Sequence, residues 1–347
     1  MDLIAFGRVY LEIVFGQVAS LPGPGEEIFA DEFAISCGGA VTVATAASRS
    51  GARAGLSTLL SDDLGSRVVT EHCRRAGVDL APSHRVTGRV SGITVVLNFA
   101  GDRGFVSYLP PAQPVAGPDT GHFLEVLRDY RPAWCYLHPW PGAEALIAEA
   151  RSLGTRVALD VGLNAIASHP RAVVSCARQA DVFLPNAEEL LRLTGARSLS
   201  AAIDVAVAWC RCLVVKCGAD GAVVADHTGR TAVTRGIRPV SVRDLTGAGD
   251  AFAGALIAAL HQGAPAAEAA AAGNAAGSQT VSVLGAVGEV DVEGLSPAVT
   301  PLAAALLAAP GEQAAPGEQA APGGQDAESR ARPGGRAARG YGRGPRR

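Results

Sequence analysis

The chain has 347 residues, 48% of them hydrophobic and 18% charged, with a formal net charge of -3. That supplies enough apolar material for a substantial core, excludes a mainly disordered chain, and gives no electrostatic reason to expect nucleic acid or a membrane surface as the main partner. The start lacks a basic region and a small-residue cleavage site, and no stretch reaches the roughly 18 uncharged apolar residues of a membrane span. The seven cysteines are an odd number without Cys-x-x-Cys spacing; together these features predict a cytoplasmic protein acting on a small molecule.

In chain order, short apolar runs at residues 3–6, 92–97, 133–137, 156–160, 181–184 and 213–216 recur between helical stretches. Strand-then-helix alternation of this kind predicts an α/β fold: a mostly parallel sheet covered by helices on both faces, with ligands beyond the carboxyl ends of its strands. Residues 10–35 and 90–108 instead alternate polar and apolar side chains, the second segment around a Gly101-Asp102-Arg103-Gly104 turn. They predict antiparallel strands that leave the main sheet as a small lid. The globular domain is expected to occupy residues 1–300. From residue 309 the composition shifts to Ala-Pro-Gly-Glu-Gln-Ala repeats and then to Gly, Pro and seven arginines from Arg330 to Arg347. Almost no large apolar side chain remains there to offset ordering entropy, so 309–347 is predicted to be a disordered, solvated tail.

The string Asp244-Leu245-Thr246-Gly247-Ala248-Gly249-Asp250, running into an apolar stretch from Ala251, predicts a tight turn whose backbone N–H groups point outward at the start of a helix, which is an anion site. Alone, Asp250 reads as a helix cap. The full string, however, resembles the second signature of the ribokinase-like (PfkB) family of carbohydrate and nucleoside kinases. Gly38-Gly39 with Ala44, Ala47 and Arg49-Ser50-Gly51 is similar to the family's first signature. Asp62-Asp63-Leu64-Gly65, Ala76-Gly77-Val78-Asp79, Pro185-Asn186-Ala187-Glu188-Glu189, Lys216-Cys217-Gly218-Ala219-Asp220-Gly221 and Asn274-Ala275-Ala276 follow in the family's order.

The resemblance implies a ribokinase-like three-layer α/β/α domain, a β-sheet lid, and transfer of the γ-phosphate of ATP to a hydroxyl of a sugar or sugar-like substrate. By the same resemblance Asp250 is the general base and Gly247, Ala248 and Gly249 form the anion hole. Asn186 and Glu189 hold Mg2+ through water, although the pair also reads as an N-cap with its capping box. Gly218, Gly221 and Asn274 lie by the nucleotide, or are simply turn glycines and a helix polar residue. Asp244 orders the loop or contributes to a monovalent-cation site for K+. Homodimerisation through the lid is the family's habit.

The substrate end departs from the family pattern. Glu12 stands where an aspartate is usual, and is either a substrate ligand or a solvated lid residue. After Gly38 and Gly39 the expected asparagine is missing; counting back from Arg49 puts Thr42 in its place, counting forward from Gly39 puts Val43 there, and Leu245 replaces a usual threonine. Phe15, Tyr108 and Trp140 could supply the aromatic slot of a nucleoside kinase, the alternative within the same chemistry. A non-catalytic sugar- or nucleotide-binding protein is the alternative outside it. His138, Asp160 and Asn164 follow strand ends, and Arg103 falls in the expected lid turn; none is assigned a catalytic role. No function is drawn from Lys216, the only lysine in the chain.

Overall fold

A computed structural model describes residues 1–99, 102–111, 120–229 and 231–292. These lie in one compact unit, Met1–Ala305. The expected tail at 309–347 lies outside the described residues, as does the tip of the expected lid turn at 100 and 101. In chain order the elements are β1 (Leu3–Phe6), β2 (Val9–Gly16), β3 (Glu32–Gly39), α1 (Ala40–Arg49), β4 (Ala54–Ser57), β5 (Leu59–Leu60), α2 (Leu64–Ala76), β6 (His84–Arg85), β7 (Gly92–Phe99), β8 (Asp102–Tyr108), α3 (Thr120–Tyr130), β9 (Trp134–Leu137), α4 (Ala143–Ser152), β10 (Arg156–Leu159), α5 (Leu163–Ser168) and α6 (Pro170–Ala177). Then come β11 (Val182–Phe183), α7 (Ala187–Thr194), α8 (Leu199–Ala206), β12 (Cys212–Lys216), β13 (Gly221–Asp226), β14 (Thr231–Arg235), α9 (Ala248–His261) and α10 (Ala266–Thr280).

The main sheet has the order β14-β13-β12-β11-β10-β9-β1-β4. Its strands run parallel from β4 to β12, and β13 and β14 close one edge antiparallel. All four residues of β1 are buried because the strand is covered on both faces. Leu3 and Ala5 point into one core layer, which they share with α1, α9 and α10, while Ile4 and Phe6 point into the other with α3, α4 and α6. The small residues of α9 have a packing cause. A side chain at Gly254 would place its Cβ 2.2 Å from the carbonyl of Val43 in α1, so these two helices touch backbone to backbone.

A second sheet has the order β3-β2-β7-β8. Each hairpin is antiparallel, but β2 and β7 pair in parallel. The expectation of antiparallel strands therefore holds within the hairpins and fails at their junction, because both leading strands run in the same direction and both returning strands lie at the edges. Arg103 belongs to β8, opposite Asn98, with its guanidinium 5.5 Å from the Phe105 ring centroid; it is a strand residue rather than a turn residue. Asp63 joins this sheet to the body. It caps α2 through the Ser66 N–H, and accepts hydrogen bonds from the Val90 and Ser91 N–H groups and the Ser91 hydroxyl just before β7.

Candidate active site

Helix α9 starts at an N-cap glycine, Gly247, held at φ +75° with no side chain capping the helix. Among the described residues the N–H groups of Gly247, Gly249 and Asp250 have no hydrogen-bond partner. This leaves a concave row of donors at the positive end of a 14-residue helix, a ready-made anion site. Asp244 shapes the approach, its two carboxylate oxygens accepting the N–H of Thr246 and of Gly285, each at 2.8 Å. Asp250 sits in the first turn yet does not cap it. Its Oδ1 instead accepts the Tyr136 hydroxyl at 3.3 Å. Burial holds its carboxyl above the usual carboxylate range, against the opposing pull of His138 and Lys216.

Asp250 faces the carboxyl ends of three parallel strands, and these supply residues that motif reading left without a role. Tyr136 of β9 is buried, and its hydroxyl also lies 2.8 Å from His138 Nε2 and 3.4 Å from Asp160 Oδ2. Asp160 follows β10 and Lys216 ends β12. The Lys216 ammonium donates to both oxygens of Asp160 at 2.6 and 2.8 Å, with the two side chains 14% and 3% exposed. Burial opposes charge on Lys216, but Asp160 and Glu189 outweigh it and the net shift is upward. Ligand atoms of His138, Asp160 and Asp250 lie within 4.8 Å of one another, a spacing that could hold a metal ion. The ammonium already supplies Asp160 with a cation. His138 and Asn164 are exposed at the surface.

Asn186 and Glu189 form a full capping box at the start of α7: the Asn186 side chain accepts the Glu189 N–H at 2.8 Å, and the Glu189 carboxylate accepts the Asn186 N–H at 2.7 Å. Glu189 is buried, which lifts its pKa to about 7 against the attraction of Lys216. Gly218 takes φ +58° beside open space, whereas a Cβ on Gly221 would strike the carbonyl of Thr234 at 2.0 Å. Asn274 is buried, and its amide donates to the Thr234 hydroxyl and the Arg235 carbonyl, each at 3.1 Å. It fastens β14 to α10.

At the lid end Glu12 is neither solvated nor free. It is buried, its Oε2 accepts the Ala286 N–H at 3.2 Å, and a Cβ on Gly38 would meet its Oε1 at 2.0 Å. Gly39 is equally constrained, with φ +83° and the Arg8 carbonyl 2.5 Å from a built Cβ. Thr42 is buried in the first turn of α1, and its hydroxyl is without a partner. The three aromatic candidates are not brought together. Phe15 stacks on Phe33 across β2 and β3, and Tyr108 pairs opposite Ile93, both on the strand face opposite Glu12 and Thr94. Trp140 packs on Phe123 in the main core.

Burial pushes the Glu12 carboxyl up to about 7, with Asp244 and Asp250 adding to the effect and the Ala286 N–H opposing it. Its folded pKa exceeds the unfolded value, so its stabilising contribution is complete below about pH 4.5 and is lost as pH rises through about 7. Glu12→Gln is expected to be more stable than the parent at pH 8, by up to about 3 kcal/mol, and to lose that margin near pH 4.5. Urea unfolding at both pH values measures it; a pH-independent difference would remove the buried-carboxyl account.

Residues 4–291 match the family described as pfkB family carbohydrate kinase. The chain belongs to the pfkB family. It is similar to the cytidine kinase of Thermococcus kodakarensis, 26% identical over 279 residues, covering 76% of this chain and 90% of that one. It is also similar to the aminoimidazole riboside kinase of Salmonella typhimurium, 29% identical over 272 residues, covering 72% and 83%. Among solved structures, Arabidopsis thaliana ribokinase complexed with ribose and ATP superposes with TM-score 0.69 at 24% identity, covering 82% of this chain and 94% of that one. The Methanocaldococcus jannaschii nucleoside kinase of the ribokinase family superposes with TM-score 0.67 at 16% identity, covering 84% and 95%. The pfkB fold thus accounts for the whole described architecture, small sheet included. Within that pfkB framework, Lys216, Asp160 and Tyr136 are the site residues that motif reading passed over. Their signal was position, each within one residue of the carboxyl end of a strand in the main sheet.

Proposed function

We propose that this pfkB protein transfers the γ-phosphoryl group of ATP to a hydroxyl of a sugar or nucleoside, with Asp250 as the base. The observation that carries the reading is Asp250 itself: a carboxylate in the first helical turn that caps nothing, beside three unpaired N–H groups. As the acceptor oxygen attacks the γ-phosphorus, its proton passes to Asp250, while the unpaired N–H groups of Gly247 and Gly249, joined by that of Ala248 once its 3.5 Å bond to the Leu245 carbonyl is given up, take up the redistributed phosphoryl charge. Phosphoryl transfer depends mainly on positioning and electrostatics, which these groups supply without a covalent intermediate.

The residues present fit the triphosphate and its metal. Donors line the helix start, and the open side of Gly218 leaves room for a nucleotide. Mg2+ supplies charge neutralisation when bound, and Asn186 and Glu189 would hold it through water, with the lone pairs their capping box leaves over. Asp244 orders the anion loop and, with its remaining lone pairs, shares in a site for K+. Glu12, Thr42 and the Gly38-Gly39 turn shape the acceptor pocket under the lid. Residues 1–300 act as the kinase domain. The exposed apolar face of the small sheet, including Val106 and Tyr108, supports a homodimer through the lid, and seven free thiols support a reducing, cytoplasmic setting.

A ribosyl acceptor is the first class to try. The cytidine kinase and the aminoimidazole riboside kinase are each named for a riboside, and the Arabidopsis ribokinase structure holds ribose. Purified protein with Mg-ATP is expected to turn over at least one member of a panel of pentoses, hexoses and nucleosides, followed as ADP release that depends on the acceptor. ATP binding without turnover of any acceptor would overturn the kinase reading in favour of a binding protein.

A further inference from the structure

Lys216 and Asp160 form a buried ion pair that the chemistry above does not use. Buried pairs are weak sources of stability, since desolvation offsets most of their attraction, so one placed beside Asp250 calls for another role. Position supplies one. The ammonium lies 3.5 Å from the point where a Cβ on Gly249 would stand, with Cδ and Cε of the same side chain at 3.9 Å. It therefore lies against Gly249 of the anion loop, the residue before Asp250. The other end of the residue is tied to the metal-facing helix: the Lys216 N–H donates to the Pro185 carbonyl, and Lys216 pairs with Asn186 in a parallel bridge. Asp160, Glu189 and Asp250 are the ionisable groups whose fields reach it.

The residue type is also informative. All 29 other Lys and Arg residues of this chain are arginine. A compact ammonium fits against Gly249, where the broad planar guanidinium would press on the helix start.

Resting on the kinase reading, we propose that Lys216 grips the terminal phosphoryl group of the bound nucleotide, and that Asp160 is the counter-ion that holds the ammonium in place until phosphate arrives. Because it sits on the Asp250 side of the loop, its contact is with the group being transferred. Lys216 therefore separates ATP from ADP in binding as well as in turnover. No bond to Lys216 forms or breaks; the ammonium shares its N–H donors between Asp160 and phosphoryl oxygens.

The test is calorimetric titration of the full chain, with Mg2+, using a non-hydrolysable β,γ-imido ATP analogue and ADP. In Lys216→Met, affinity for the analogue is expected to fall about thirtyfold while that for ADP changes less than about threefold, the loss of one charged hydrogen bond. The double variant Lys216→Met/Asp160→Asn removes the stranded buried carboxylate, so the comparison survives if the single variant folds poorly. The same selective loss is expected there. Lys216→Arg is expected not to restore analogue affinity. Equal losses for both nucleotides, no loss, or full rescue by arginine would each overturn the proposal. Failure of the parent protein to bind either nucleotide would instead count against the kinase reading itself.

Discussion

Asp250→Asn is expected to lower kcat by about 10³- to 10⁵-fold while Mg-ATP still binds. The substitution keeps the shape of the side chain and a carbonyl oxygen for the Tyr136 hydroxyl, whose distance to Oδ1 is 3.3 Å. Because the helix is not capped by Asp250, the anion loop does not depend on the carboxylate. What the variant lacks is a proton acceptor. Burial raises the pKa of Asp250, and a protonated base is inactive, so the parent's kcat/KM should fall as pH drops through a point above the ordinary carboxylate value of about 4. Residual activity of the variant should lack this acid limb. A pH–rate profile with a parallel nucleotide titration decides; an unchanged kcat, or an unchanged limb, would remove Asp250 from the role of base.

Gly247→Val should abolish turnover by a different route. Gly247 holds φ +75°, and a Cβ there would stand 2.5 Å from the Cβ of Ala286 and 2.8 Å from its Cα. A β-branched residue cannot relieve both constraints, so the N–H row moves or the 285–286 segment moves. A displacement of about 1 Å in such a row costs on the order of 10²-fold in rate, and loss of aligned oxyanion donors adds to it. The expected result is a kcat loss of at least about 10³-fold, with native-like circular dichroism and weakened nucleotide binding. Retained binding and turnover would show that the loop does not hold phosphate.

The fold was largely legible in the sequence because it rests on local signals. Short, fully apolar runs such as Leu3–Phe6, too short for helices and recurring between helical stretches, read as strands covered on both faces, and the small residues after Asp250 announce a closely packed helix. The junction of the two small hairpins was not legible, since alternation reports pairing within a hairpin and says nothing about which strand of the next it meets. At the site, the glycine turn of α9 could be read directly, while Glu12 could not. Its buried carboxylate meets its hydrogen-bond donor, the Ala286 N–H, only across 274 positions. Lys216, Asp160 and Tyr136 are ordinary in sequence and become a cluster only when β9, β10 and β12 are brought into one sheet, with β11 between the last two. His138 and Asp160 had been placed at strand ends, but nothing local tied either to Asp250.

The way the small sheet is fastened has a mechanical consequence. On the β3 side, the Val290 N–H donates to the Ile35 carbonyl, the Ser36 hydroxyl donates to the Gly288 carbonyl, and Glu12 of neighbouring β2 holds Ala286. Across the sheet, β8 is hydrogen-bonded along its length to β7, and its Phe105, Val106 and Tyr108 are exposed. Asp63 adds a tie at the start of β7, so the plate is clamped at β3, β2 and the near end of β7, and β8 is held through β7. β8 is therefore the margin of this flap expected to yield first, with the clamped margin as its hinge. Any strain the flap transmits through its clamp arrives at residues 285–286, directly against Gly247.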